Sequence, residues 1–303
     1  MEHNWTDEQM IKAQNIVMER FALNSVAGHL APRSTVEEMA TTVTRNRFDF
    51  AQAIVIDREV FGLNEPFSFC RFSKAQVNEF SAMQGEDVTQ TKVVTTLTRA
   101  SSNFARVSDA LFVVGFDEME SRGLRPPSVE MPRVDVTQNP PQSLREAAIE
   151  AEGTTGVGPI VVIAPFNEGL VTAVYEAVLR LEGRGYFTAY HLVLGEQLWQ
   201  ELHRPTPGSM VLPRYVIEPT LMGGGFYRTT TLRPEEALLA SLDGPTFDYV
   251  IAGDPARHPL LEWLRVESSA ARNREEIYTF RISERSAPRV RENQAIVRMT
   301  TKP

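Results

Sequence analysis

The sequence predicts an α+β protein. Three patterns carry that expectation: a capped amphipathic helix over about residues 7–24, a longer helix whose apolar residues from Val93 to Leu111 are spaced 4, 3, 4, 3 and 4 apart, and a last third, 185–299, of short strand-like runs divided by glycine and proline. No segment repeats at a fixed period, and no tract is of low complexity.

In chain order, Thr6-Asp7-Glu8-Gln9 reads as a capping box, and Met10, Ala13, Val17 and Phe21 follow at helical spacing. Gly28 and Pro32 end that helix, and Thr35-Val36-Glu37-Glu38 predicts the start of a second, shorter one. Extended structure is expected over 48–72, where AQAIVID, a break at Gly62-Leu63-Asn64-Glu65-Pro66 and FSFCRF read as a long hairpin. Val93, Leu97, Ala100, Phe104, Val107 and Leu111 then give the clearest helix, the expected spine of a domain. Between 123 and 158 the composition turns to proline, glycine and polar residues around a small capped helix at Ser143-Leu144-Arg145-Glu146, which reads as a surface excursion. After it come the strand IVVIA, a helix with Leu170, Val174, Val178 and Leu181 on one face, and strands in GYFTAYHLVLG, GGGFYRTTT and FDYVIAGD, closing on EEIYTFRIS and QAIVRM as paired terminal strands.

Bulk composition narrows the function classes. A chain of 303 residues, 42% apolar and 23% charged, buries a full core without covalent staples. Its one cysteine, Cys70, excludes an intrachain disulfide framework and a zinc site built from several thiolates. No run approaches eighteen apolar residues and the first twenty are too polar for a signal peptide, so a cytoplasmic location is expected. A net charge of −8 argues against a protein dedicated to coating DNA. Only Lys12, Lys74, Lys92 and Lys302 of the 31 basic residues are lysines; this arginine bias suits a chain that makes many subunit contacts, and a GC-rich genome gives the same bias.

Catalytic and metal motifs are not found. The glycines at 153–158 precede a strand, whereas a phosphate cradle follows a strand and opens a helix. Gly223-Gly224-Gly225 also leads into a strand and reads as an entry turn or bulge. His3, His29, His191, His203 and His258 include no pair at the i, i+4 spacing of a helical metal site. Ser209 lacks the flanks of a nucleophile elbow, Cys70 sits in an alternating strand, and Glu37, Glu38, Glu118 and Glu120 read as solvated charges; no enzymatic activity is expected.

Laid in order, WTDEQ with its helix to Phe21, the extended segment over 48–72, ARVSDALFVVGFDEMESRG, GYFTAYHLVLGEQLW, MGGGFYRTTT, FDYVIAGD and EEIYTFRIS resemble the encapsulins, bacterial nanocompartment shell proteins. The resemblance spans almost the whole chain; longer segments at about 124–157 and 253–272 depart from it. It implies the tailed-phage major capsid fold of the Hong Kong 97 type, with an N-terminal arm at 1–34, an extended loop at 35–75, a P-domain spine helix at 76–126, an inserted excursion at 127–157, an A-domain at 158–245 and strands returning to the P-domain at 246–303. It implies also an icosahedral homo-oligomer enclosing a cargo protein, of the ferritin-like or peroxidase kind, held by a terminal targeting peptide, with no specific nucleic acid and no membrane. Met10, Val17 and Phe21, with Tyr278, Phe280 and Ile282 as strand partners, are the implied cargo-binding residues. The loop at 205–214 corresponds to the one around the family's fivefold pore: Pro205, Pro207 and Gly208 would stiffen it, and Arg214 and Tyr215 would tune passage. Some shells of the family hold flavin on a tryptophan that FSFCRFSKAQ lacks, so no cofactor is expected. A phage or prophage major capsid protein shares the fold, although no lysine between Lys12 and Lys74 is present for an isopeptide cross-link; a stand-alone hydrolase is the reading from another class.

Overall fold

A computed structural model describes residues 5–49, 54–82, 91–131, 141–206, 208, 210–242, 246–268 and 276–301. Helix α1 (Asp7–Asn24) starts on the expected capping box: the Gln9 amide donates to Thr6 Oγ1 at 3.3 Å and the Thr6 amide to Gln9 Oε1 at 2.8 Å. One further turn, α2 (Ala27–Leu30), leads into strand β1 (Arg33–Val36). The helix start expected at 35–38 is therefore corrected: β-branched Thr35 and Val36 pair in parallel with Ile251 and Ala252, and that tertiary pairing outweighs a local capping signal.

The extended arm is also redrawn. Strands β2 (Thr42–Asp49) and β3 (Ile54–Gly62) form the hairpin, paired from Thr42↔Gly62 to Asp49↔Ile54. FSFCRF, expected as its second arm, is strand β4 (Phe67–Ser73) of a different sheet, because the break at 62–66 turns Cys70 and Phe72 into the core. Helix α3 (Lys74–Ala82) follows, then the spine helix α4 (Lys92–Val113), which buries every apolar position of its predicted stripe. Next come α5 (Phe116–Ser121), β5 (Val129–Glu130) and α6 (Leu144–Thr155), the last capped by Ser143 and Glu146 as expected. Residues 132–140 of the expected excursion lie outside the described residues.

The chain continues through β6 (Ile160–Val161), α7 (Phe166–Gly183), β7 (Tyr190–Leu194), α8 (Glu196–Leu202), α9 (Pro213–Ile217), β8 (Phe226–Arg228), β9 (Glu236–Ser241) and β10 (Phe247–Ala252), then β11 (Leu260–Ser268), β12 (Glu276–Ser283), β13 (Ser286–Val290) and β14 (Ile296–Thr300). The sheets run β11-β12-β4-β5, β6-β14-β9-β7-β8 and β1-β10-β13, beside the two-stranded β2-β3 arm. The terminal runs are not partners of each other: β12 lies between β11 and β4, and β14 between β6 and β9.

Two bodies of core result. In the first, α1, α3 and α4 cover one face of the β11-β12-β4-β5 sheet. Trp5 rests on Phe80 and Phe280 with ring centroids 5.1 and 4.6 Å away, Phe21 meets Phe104 at 6.1 Å, and Phe112 packs edge-on against Phe247 and Tyr249. In the second, α7 lays Leu170, Val174 and Leu181 on the sheet of β14, β9 and β7. Gly224 is required where β8 approaches β7, since a Cβ there would stand 1.7 Å from the Tyr190 carbonyl oxygen.

Candidate assembly and docking surfaces

The expected cargo-binding residues are brought together, but inside the subunit. Val17, Phe21, Tyr278, Phe280 and Ile282 are buried in the first core and Met10 is half-buried at its edge, so five of the six present no surface to a peptide. The cause is geometric: α1 packs along α4, Ser101 Oγ donates to the Val17 carbonyl at 2.7 Å, and Gln14 holds the other flank through the Arg257 and Pro259 carbonyls and the Leu261 amide. That last contact also places the sequence's longer segment at 253–272, which supplies β11.

What α1 and α4 leave open is the seam on their outer sides. Ile16, Arg20 and Leu23 of α1 face Val94, Thr98 and Arg99 of α4 across a depression of about 530 Å³. Leu23 is 66% exposed. The seam continues into a second depression of about 230 Å³ where Asn24, Ser102 and Arg106 meet Arg228 and the threonines at 229–231.

Beneath that second depression lies a buried polar joint. Asp109 of α4 accepts from Ser25 Oγ at 3.1 Å, the Val26 amide at 3.0 Å and the Ala27 amide at 2.9 Å, so it fastens the turn between α1 and α2 onto the spine. Burial pushes its carboxyl up to about 7, with Glu284 adding to the rise and the three donors opposing it. The Tyr249 hydroxyl donates to Glu284 Oε1 at 2.8 Å and lies 2.8 Å from Ser108 Oγ and 2.6 Å from Ser286 Oγ; burial raises it well above the usual tyrosine range.

A second joint ties the two bodies of core. Arg145 of α6 spans both oxygens of Glu236 with Nε at 3.0 Å, while Arg298 of β14 reaches Glu236 at 3.1 Å and forks onto Glu152 at 2.9 Å. Glu236 is 2% exposed, and two guanidinium groups balance it. The arginine bias of the sequence is thus used within the subunit, where a planar fork fits a carboxylate.

The loop expected at 205–214 is shorter than that. Pro213 occupies the first turn of α9, as proline's fixed φ favours, so Arg214 and Tyr215 stand on a helix. Asn167 donates to the Pro205 carbonyl at 3.1 Å and the Thr206 amide to the Val211 carbonyl at 3.2 Å, closing the loop; Gly208 takes a φ of 77°. Pro207 and Ser209 lie outside the described residues. Met210 is 95% exposed and Tyr215 63%, Met222 is also exposed, and Arg214 lies over the Phe226 ring at 5.8 Å.

The hairpin arm is anchored at its base. Val43, Phe61 and Leu63 pack on Val250, Ala252 and Ala287, and Arg45 donates to Gln142 and to the Val290 carbonyl. Arg289 of β13 also donates to the Thr44 carbonyl at 3.3 Å; in the sheet ladders β2 pairs with β3 and with no other described strand, and a two-stranded ribbon is marginal in water by itself.

Among the described residues no group of His, Cys, Asp and Glu is arranged to hold a metal, and burial pushes the Cys70 thiol up to about 12, far from a reactive thiolate. The glycines at 153–158 end α6, with Gly156 left-handed at the C-cap, so the local dipole repels a phosphate. Among the described residues no helix is long and apolar enough to cross a membrane.

This architecture, a spine helix against one sheet, a second core around another and a projecting two-stranded arm, is the capsid-type fold of shell subunits. The chain is similar over 97% of its length to a virus-like particle from Pyrococcus furiosus, covering 98% of that chain at 12% identity and a TM-score of 0.60. It is similar to the holo-SrpI encapsulin complex from Synechococcus elongatus PCC 7942, covering 99% of this chain and 92% of that one at 11% identity and a TM-score of 0.55. It is similar as well to the capsid of Myoviridae phage XM1, covering 99% and 94% at 10% identity and a TM-score of 0.53. Residues 162–256, about a third of the chain, match the family model described as encapsulating protein for peroxidase. The encapsulin resemblance and the capsid-type fold read from the sequence are therefore borne out. A search of curated protein sequences gave no match.

Proposed function

We propose that this chain is the subunit of a self-assembling icosahedral nanocompartment, which encloses a cargo enzyme of the ferritin-like or peroxidase kind in the cytoplasm and admits small molecules through pores. The observation that carries the reading is the coincidence of a capsid-type fold over nearly the whole chain with an encapsulin family match at 162–256. Two features of the subunit support it. The β2-β3 arm is a two-stranded ribbon that a neighbouring molecule would complete, and Met210, Tyr215 and Met222 are apolar and exposed. Many modest contacts repeated by symmetry then close the shell.

In this arrangement α1, α4 and the β11-β12-β4-β5 sheet form the P-domain, the α7 body forms the A-domain, and the closed loop at 205–211 with Arg214 and Tyr215 borders a pore. The subunit works by enclosure rather than by catalysis. Size-exclusion chromatography with light scattering, followed by electron microscopy, tests it: hollow particles in the megadalton range with a discrete protein inside are expected. A monomer or dimer with hydrolytic turnover would refute it, and particles filled with DNA would establish a phage-type capsid instead.

A further inference from the structure

Where the base of the arm meets the sheets, a cavity of about 250 Å³ opens between the turn after β1, the break between β3 and β4, the loop joining β10 to β11 and the end of β12. Five carboxylates line it, those of Glu38, Glu65, Asp254, Glu262 and Glu284, against three guanidinium groups. The guanidinium groups are already matched. Arg281 and Arg285 share the two oxygens of Glu65 at 2.6 and 2.9 Å, and Arg257 lies 3.8 Å from Asp254. Arg281 is held further by Glu262 at 4.0 Å and by the Phe67 ring, 4.7 Å away.

Hydrogen-bond acceptors are left over. Glu284 is 2% exposed, and its Oε1 takes both hydroxyl donors, Tyr249 at 2.8 Å and Ser286 at 2.6 Å. Oε2 has no donor among the described residues and is left to the cavity, although a buried carboxylate is costly without a hydrogen-bonded counter-charge. The Glu38 carboxylate likewise makes no ion pair or hydrogen bond among the described residues; only its backbone carbonyl is used, by Arg285. Glu38 and His258 converge over Gly253, since a Cβ built there would stand 3.5 Å from Glu38 Cγ and 3.4 Å from His258 Nε2. His258 Nδ1 is buried, with no partner among the described residues.

We propose that this cavity binds a small aliphatic amine, whose ammonium group donates to Glu284 Oε2 and to Glu38 while its methylenes lie against Met39, Ala252 and Leu260. An ammonium group brings several donors and a full positive charge, which suits two carboxylates whose remaining lone pairs have no other donor. An anion would find every guanidinium group already facing an acid. A metal ion fits less well, because no three acids or imidazoles among the described residues are arranged as ligands and part of the lining is aliphatic. The volume equals the share of about eight water molecules at about 30 Å³ each, below the range of drug-sized ligands, so the amine is short. Every residue named belongs to one subunit, and the site is therefore independent of shell formation.

Isothermal titration calorimetry of the full chain at physiological salt, with 1,4-diaminobutane as the probe, is expected to show saturable binding with a dissociation constant below about 1 mM. Glu284→Gln is expected to remove that binding. Glu38→Gln, at an exposed position that leaves the core untouched, is expected to weaken it at least about tenfold. Glu37→Gln, also exposed but outside the cavity lining, should leave it unchanged. Absence of saturable binding to the native chain, or equal affinity in the Glu37→Gln and Glu38→Gln variants, overturns the proposal. Tighter binding of magnesium or of inorganic phosphate than of the diamine overturns it as well.

Discussion

Replacing Asp109 by asparagine isolates the joint that holds α1 on the spine. In the folded chain the Asp109 carboxyl binds its proton more tightly than in the unfolded chain, about 7 against 3.8. Over that window the native state carries more protons, so this group's contribution to stability is present at low pH and is lost as pH rises from about 4 to 7. The full swing is about 4 kcal/mol, at 1.4 kcal/mol per tenfold change in proton affinity. The asparagine side chain would be neutral throughout. Its amide retains Oδ1 as the acceptor for both Ser25 and Ala27 but turns a donor toward the Val26 amide, at a cost of about 1–3 kcal/mol. The balance between Asp109→Asn and the native chain is therefore expected to shift in the variant's favour by about 3 kcal/mol from pH 5 to pH 8, leaving the variant equal to the native chain or more stable at pH 8. Urea unfolding followed by tryptophan fluorescence at matched protein concentration measures the gap, since Trp5 reports the same core. A gap that stays constant from pH 5 to pH 8 would refute the reasoning.

Three further outcomes are expected. Glu236→Ala strands Arg145 without its buried partner and should lower the unfolding free energy by roughly 3–5 kcal/mol in the same urea assay, whereas a loss below about 1 kcal/mol would show the joint to be solvated. Gly224→Ala places a methyl against the Tyr190 carbonyl and should cost about 1–3 kcal/mol or more by forcing β7 and β8 apart; an unchanged urea midpoint would contradict that packing. Cys70, buried in β4 with its thiol pushed up to about 12, should react with a thiol reagent only after denaturation, and stoichiometric labelling of the native protein at pH 8 would disprove its burial.

How much of this was legible in the sequence depends on the element. Helices α1 and α4 were readable because caps and apolar spacing act locally, and the body of α7 with β7, β10 and β12 followed from strong patterns. Strand β9 was not, because EALLAS is buried on both faces and shows no alternation. Thr35-Val36-Glu37-Glu38 misled because a local helix signal competes with a parallel pairing to β10, more than two hundred residues on. The arm's true first strand, TVTRNRFD, was hidden by its polar residues, so FSFCRF was assigned its place. The site divides in the same way. Helical spacing marked Val17 and Phe21, and the resemblance added Tyr278, Phe280 and Ile282 as strand partners, but neither distinguishes a partner's peptide from the protein's own helices. The open seam beside them combines the outer sides of two helices some seventy residues apart, which no local pattern in the sequence brings together.

The sharpest test of a shell-forming subunit uses the arm. Replacing residues 47–57 by a two-residue turn removes the outer part of the hairpin and keeps its anchored base, where Val43, Phe61 and Leu63 pack. Electron microscopy of the full-length protein is expected to show closed hollow particles, and the shortened protein is expected to remain folded yet elute as small species. Full-length protein that is folded and stays monomeric, or shells that form equally well without the arm, would contradict the claim that neighbouring copies complete this fold.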